Sequence, residues 1–190
     1  MDITAMDGGF SDAPRAAALA FRAALQALAR PGRVETVAGA APPAPASPAA
    51  GALLLTLCDP DTGVHLAGDH DTPELRQWIT FHCGAPLVGP GAADFALGTW
   101  AAVQPLDAYR VGTAEYPDRS ATLIVEVDRL EPTGARLTGP GIETEAALTL
   151  PEVAAFRANR AGFPLGLDFY FTFGDRLAGL PRSTTVTEAG

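Results

Sequence analysis

The chain has 190 residues, 47% of them hydrophobic and 18% charged, and its formal net charge is −9. This composition predicts one globular domain over residues 1–190, and the acidic balance argues against nucleic acid as a partner because phosphate binding needs clustered cations. All 13 basic residues are arginine, so the chain can form neither an internal aldimine with pyridoxal phosphate nor a Walker-type phosphate loop.

The first third of the sequence predicts two helices, one strand and an irregular connection. The first helix begins at Ser11 and Asp12 and ends before Pro31 and Gly32. A short strand over 34–37 and an exposed, proline-rich loop over 38–50 come before a second helix at 51–58. The apolar stripe that should bury the first helix consists of Ala18, Phe21, Leu25 and Leu28.

The remaining elements alternate between strands and helices. Asp71-Thr-Pro-Glu74 predicts the start of a helix that buries Leu75, Trp78, Ile79 and His82, and the β-branched run at 121–127 predicts a central strand. Together the elements predict a mixed β-sheet flanked by helices, an α/β fold. Further strands are expected at 64–67, 85–88, 94–99, 136–138, 167–173, 176–180 and 184–187, and further helices at 106–111 and 151–160.

Nothing in the sequence indicates export or a membrane. The N-terminal residues lack the cationic start and apolar core of a signal peptide, and the longest apolar run, 49–58, is too short to span a bilayer. Two cysteines, Cys58 and Cys83, do not make a disulfide framework. We therefore expect a cytoplasmic protein.

The histidines allow two interpretations. His65, His70 and His82 lie near Asp69, Asp71 and Cys83, a combination that could bind a metal ion. Their spacing matches no established ligand pattern, and we expect instead a loop histidine, a core-facing His82 and a buried, unreactive Cys83. No metal or cofactor is expected.

Two segments near the C-terminus form a candidate anion site. A Gly-Pro-Gly turn follows the strand that ends at Thr138, and its Gly139 and Gly141 would let backbone N–H groups approach an anion. A guanidinium and three hydroxyls follow on Arg182, Ser183, Thr184 and Thr185. The alternatives are a turn that requires positive φ, and an Arg182 that pairs with Asp168 or Glu143 or lies in a dimer contact.

The chain resembles the H subunit of the bacterial carbon–phosphorus lyase system over nearly its whole length. Each motif is weak alone, and the specificity lies in their order. The motifs are FRAALQALARPG at 21–32, LLTLCDPDT at 54–62, FHCGAPLV at 81–88, ATLIVEV at 121–127, LTGPGI at 137–142, FPLGLD at 163–168 and PRST at 181–184.

The resemblance implies a fold similar to the large domain of pyridoxal-phosphate-dependent transferases, without the cofactor. It also implies a homodimer that joins the G, I and J subunits. That complex couples an alkylphosphonate to C1 of the ATP ribose with loss of adenine, before an iron–sulfur subunit cleaves the carbon–phosphorus bond. The resemblance carries no catalytic residue onto this chain.

Three functions follow as hypotheses. The favoured one is a subunit of this transferase without activity of its own, because no convincing nucleophile, base or metal set is present. The second is a direct contributor that binds phosphate or phosphonate at the candidate anion site. The third is a separate metal hydrolase that uses the histidines.

Overall fold

A computed structural model describes residues 7–189 of the chain. The six residues before them, where a signal peptide would begin, and Gly190 lie outside the described residues. The helices are α1 (Ala13–Ala29), α2 (Pro48–Leu57), α3 (Pro73–His82) and α4 (Val153–Ala161). The strands are β1 (Val34–Thr36), β2 (Val64–Leu66), β3 (Phe95–Thr99), β4 (Thr122–Glu126), β5 (Ala135–Thr138), β6 (Ala146–Leu148), β7 (Asp168–Phe173), β8 (Arg176–Leu180) and β9 (Thr185–Thr187).

The strands form a large mixed sheet and a small antiparallel one. The large sheet has the order β1-β8-β7-β4-β3-β2, and the small sheet has the order β6-β5-β9. Strands β2, β3, β4 and β7 are parallel, whereas β8 and β1 are antiparallel to their neighbours. The predicted single α/β domain with a mixed sheet between helices is confirmed.

Each face of the large sheet has its own hydrophobic core. On one face α1, α2 and α3 pack against Leu97, Ile124 and Tyr170. On the other face, α4 and the small sheet cover Leu123 and Phe169. Because both faces are covered, the central strand β4 is apolar and buried at its three middle positions, as its sequence predicts. None of the helices in the described part is both long and apolar enough to cross a membrane.

The prediction for the inward face of α1 is wrong. Phe21 and Leu25 are each 53% exposed, and the buried residues of the helix are Ala20, Ala23, Ala24 and Ala27. Small side chains are required there because α1 lies very close to β8: a Cβ on Gly179 would come within 2.7 Å of the Ala27 backbone. The large side chains of Phe21 and Leu25 consequently face away from the sheet, whereas Leu28 is half-buried against the core.

The exposed loop predicted over 38–50 is shorter and less exposed than expected. Helix α2 already begins at Pro48, and Ser47 caps it by accepting a hydrogen bond from the Ala50 N–H. Ala40 and Ala46, in the remaining loop, are buried. Proline at the first helical position costs no hydrogen bond, which explains how the proline-rich run leads directly into the helix.

Three smaller differences concern short elements. The predicted strand at 85–88 forms one parallel bridge, between Leu87 and Val64. The predicted helix at 106–111 is one 3₁₀ turn, Leu106–Ala108. Strand β6 was not predicted, since its short Ala-Ala-Leu sequence has no alternating pattern, and pairing with β5 forms it.

Candidate functional site

The turn after β5 is held in place by close packing. Gly139 and Gly141 have φ angles of 131° and 82°, in the region that favours glycine. A Cβ on Gly139 would lie 3.2 Å from the Ser183 carbonyl oxygen. A Cβ on Gly141 would collide with the carbonyl oxygen of Ala29 at the end of α1. Positive φ angles and close packing therefore explain why both positions of the turn are glycine.

The two segments of the candidate anion site are neighbours in the structure. Thr138 pairs with Thr185 in the β5–β9 register, which places Ser183 beside the Gly-Pro-Gly turn. Ser183 is half-buried. Thr184 is buried, and its hydroxyl has no hydrogen-bond partner in the described chain. The structure thus brings together the backbone turn and the hydroxyls that the sequence analysis grouped.

The Arg182 guanidinium is bound on all sides by the protein itself. Its Nη2 donates to Asp168 Oδ2 at 2.7 Å and its Nε donates to Oδ1 at 3.3 Å. Its Nη1 donates to the carbonyl oxygens of Pro117 at 2.6 Å and Gly166 at 3.0 Å. The side chains of Arg182 and Asp168 are only 14% and 19% exposed. Of the alternatives raised from the sequence, pairing with Asp168 is the one the structure contains.

A third group of polar residues, not identified from the sequence, lies where the parallel strands end. Thr99, Glu126 and Thr172 are register partners at the carboxyl ends of β3, β4 and β7. Partners in adjacent strands point to the same face of the sheet, here the face covered by α2. The signal in the sequence is a single acidic residue in the apolar run at 121–127.

The Glu126 carboxylate is partly buried. Its Oε1 accepts a hydrogen bond from the Ser47 N–H, at the start of α2, at 2.6 Å. Burial raises the pKa of Glu126 above its ordinary value, while the hydrogen bond from Ser47 acts in the opposite direction. Glu126 forms no ion pair with any arginine of the described chain.

A cleft of about 420 Å³ opens at this edge of the sheet. That volume lies within the range of small-molecule sites, about 300–1,000 Å³. The cleft separates the ends of β3 and β4 from the segment that leads into α4. Its polar and aromatic lining consists of Thr99, Trp100, Glu126, Asp128, Arg129 and Thr149.

The histidines do not come together as a ligand set. In the described part of the chain, no group of three or more His, Cys, Asp or Glu side chains is arranged to hold a metal ion. His65 donates its Nδ1–H to the Val88 carbonyl oxygen at 3.0 Å, a role fixed by the carbonyl, which can only accept. His82 packs against the Trp78 ring, with centroids 5.0 Å apart.

The cysteines are buried and chemically quiet. Burial raises the pKa of the Cys83 thiol to about 11 and raises that of Cys58 as well. Cys83 donates weakly to the Leu54 carbonyl oxygen at 3.5 Å. The expectation of a buried Cys83 is confirmed, and a thiol with a raised pKa carries little thiolate at neutral pH, so we expect it to be unreactive.

His70 gives the protein a pH-dependent stability. It is 2% exposed, neither ring nitrogen is hydrogen-bonded within the described chain, and burial lowers its pKa below the ordinary value. The unfolded chain therefore binds the proton more readily, and stability should be full above the unfolded pKa of about 6.5 and fall as the pH drops below it. Thermal unfolding between pH 7.5 and 5 should show this loss.

The variant His70→Gln cannot titrate and serves as the reference for that measurement. We expect a smaller decrease in its melting temperature between pH 7.5 and 5 than in the wild type. Equal decreases would show that other groups control the pH dependence.

Comparison with known proteins places this fold in a family. A family model described as "Bacterial phosphonate metabolism protein (PhnH)" matches residues 8–187. The chain belongs to the PhnH family. This confirms the resemblance found in the sequence motifs, which continue from α1 to the segment after β8.

Two curated relatives support the assignment to the PhnH family. The chain is 42% identical over 191 aligned positions to "Alpha-D-ribose 1-methylphosphonate 5-triphosphate synthase subunit PhnH" of Rhizobium meliloti (strain 1021), covering 94% of each chain. It is 32% identical over 185 positions to HtxG of Stutzerimonas stutzeri, which is named as a candidate C-P lyase subunit protein, covering 90% of this chain and 86% of HtxG.

Proposed function

We propose that this protein is a subunit of an alpha-D-ribose 1-methylphosphonate 5-triphosphate synthase in organic phosphonate catabolism. The reaction transfers an alkylphosphonate to C1 of the ATP ribose with loss of adenine. The observation that carries the proposal is the 42% identity to a subunit of that name over 94% of both chains. Because the alignment covers nearly all of both chains, the similarity extends over the whole domain.

The protein acts in this proposal as a supporting subunit without activity of its own. Arg182, the side chain best suited to bind a phosphate, is already hydrogen-bonded to Asp168 and to two backbone carbonyl oxygens. Its thiols are buried with raised pKa values. Free buried thiols are also typical of a reducing compartment, in support of a cytoplasmic location.

Co-expression with the G, I and J subunits tests the function. The proposal expects co-purification of all four proteins and turnover of ATP and methylphosphonate only when this chain is included. Turnover by the isolated chain, or equal turnover by the G, I and J proteins without it, would contradict the supporting role.

We also propose a homodimer, with a fold related to the large domain of pyridoxal-phosphate-dependent transferases. The outer face of α1 supports the dimer. Ala18, Phe21 and Leu25 follow at helical spacing and lie exposed on the side opposite the buried alanines. An apolar stripe on a helix that is already anchored by its other face is typical of an interface.

Replacing Leu25 with Glu should separate the proposed dimer into monomers. A carboxylate at the centre of an apolar contact would be desolvated, whereas on a free surface the substitution should change stability by less than about 0.5 kcal/mol. Light scattering after gel filtration measures the mass. Phe173→Glu, a similarly exposed side chain in another part of the chain, is the control and should leave the mass unchanged.

A second function, direct contact with phosphate or phosphonate, is favoured by the proximity of the Gly-Pro-Gly turn and Ser183. Ser183→Ala tests it without disturbing the Arg182 ion pair. Loss of turnover in an intact complex would support a contact through the hydroxyl, and unchanged turnover would contradict it. The residues of this proposed anion site are Thr138, Gly139, Gly141, Arg182, Ser183 and Thr184.

A further inference from the structure

The cleft at the ends of β3 and β4 has the position of a ligand site in α/β proteins. Thr99 and Glu126 are adjacent register partners, and each is the last residue of its parallel strand. Ligands of parallel α/β sheets bind outside the carboxyl ends of the strands, and this cleft lies at that edge of the sheet. Its position is therefore compatible with a ligand site, and its lining shows which ligand would fit.

Glu126 points to the kind of group that binds there. A partly buried carboxylate without a cation is costly to maintain, and among the described residues this one is bound by the Ser47 N–H and by no arginine. The raised pKa of Glu126 reflects that cost. A ligand that donates hydrogen bonds to the carboxylate would satisfy it, and a pair of adjacent hydroxyls does so without adding charge.

The remaining lining of the cleft selects among hydroxyl-bearing ligands. Trp100 provides an aromatic surface whose orientation is fixed by Phe156, with ring centroids 4.9 Å apart. Arg129 is 65% exposed, and in the part of the chain that the structure describes its one ion pair is with Glu131, so it can meet an anionic group at the mouth. The partly buried Glu126 makes the interior acidic, which disfavours a phosphate deep inside.

We propose that this cleft binds the vicinal hydroxyls of a ribose, with Glu126 as their acceptor and Arg129 near a phosphate at the mouth. The ligand is either a nucleotide or a free ribose phosphate. The inference deepens the proposed function and rests on it for the relevance of ribose, and it gives the subunit a contact with substrate or product rather than a purely structural role.

Binding of AMP and of ribose 5-phosphate to the purified full chain, measured by titration calorimetry, tests the inference. Equal affinity for both probes would identify the sugar phosphate as the ligand, and preference for AMP would indicate a nucleotide. The 2′-deoxy form of AMP lacks one hydroxyl and should bind about tenfold more weakly, the loss of one hydrogen bond to a charged acceptor. If the full chain binds neither AMP nor ribose 5-phosphate, the inference is wrong.

Two substitutions with the same change of charge separate this role from a general electrostatic effect. Glu126→Gln keeps an acceptor for the Ser47 N–H and should weaken binding about tenfold or more, since the ionised acceptor is lost. Asp128→Asn, at an exposed position of the same cleft, should leave affinity within about twofold because an exposed charge is screened. Equal effects of the two variants, or unchanged binding by Glu126→Gln, would overturn the assignment.

The stability of Glu126→Gln keeps the result interpretable. The neutral amide lacks the desolvation cost of the carboxylate, so the melting temperature at pH 7.5 should be equal to or above that of the wild type.

The inference and the proposed function can fail separately. If the wild-type chain supports assembly and turnover but does not bind AMP or ribose 5-phosphate, this inference alone is rejected. Ribose binding by a chain that does not join the complex would reject the proposed function alone.

Discussion

Arg182→Ala is expected to lower the free energy of unfolding by about 3–5 kcal/mol, the range for removing one partner of a buried ion pair. The guanidinium satisfies both Asp168 oxygens and the carbonyls of Pro117 and Gly166, which lie on two separate segments of the chain. Its removal leaves the Asp168 carboxylate, at the start of β7, without a cation. Denaturant unfolding at neutral pH measures the loss.

Arg136→Ala provides the matched control. Arg136 pairs with Glu145, but their side chains are 51% and 44% exposed, so water replaces the lost partner. Exposed pairs contribute about 0–1 kcal/mol, and the control should stay within that range. A loss for Arg182→Ala no larger than that for Arg136→Ala would contradict the structural role of the Arg182–Asp168 pair.

This prediction changes how activity data on Arg182 are interpreted. The sequence presents the arginine as a possible phosphate ligand, and loss of turnover after its removal would appear to support that hypothesis. Because the structure gives it three protein partners, the same loss would follow from a destabilised subunit. Ser183→Ala therefore tests anion binding more directly.

Local signals allowed much of the fold to be predicted. Thr72 accepts a hydrogen bond from the Leu75 N–H and Pro73 begins α3, as the capping pattern indicates. The hairpin of β7 and β8 turns at Gly174 and Asp175, between two runs typical of strands. In these cases the residues that determine the structure are close in sequence.

The orientation of α1 could not be predicted because it depends on a distant residue. The helix has two apolar faces, one of alanines and one with Phe21 and Leu25. Hydrophobicity alone favours burying the larger side chains. The close approach of Gly179, about 150 positions later in the chain, instead requires the alanine face, by the general rule that packing at short distance needs small residues.

The same reason explains why Glu126 was missed. Its significance comes from the Ser47 N–H, 79 positions away in the sequence, and from a cleft formed by three separate segments. The sequence shows only an acidic residue near the end of an apolar strand. Conversely, the Gly-Pro-Gly turn was easy to identify, although its packing against α1 and Ser183 became visible only in the structure.

Gly141→Ala is expected to be the second strongly destabilising substitution, by about 3–5 kcal/mol. Two costs add. The φ angle of 82° is unfavourable for alanine, and the new Cβ would collide with the Ala29 carbonyl oxygen at the end of α1. Backbone atoms on both sides must move to relieve the collision, so the connection between the small sheet and α1 should loosen. Thermal or denaturant unfolding of the purified variant measures the effect.

Gly174→Ala separates the two costs. Gly174 also has a positive φ, 59°, but nothing lies within 4 Å of the position of a new Cβ. It should therefore lose only the conformational part, about 1–2 kcal/mol. The difference between the variants measures the collision with α1. Equal losses of stability in the two variants would show that the turn after β5 does not pack against Ala29. The position of the anion-site segments against α1 would then be wrong as well.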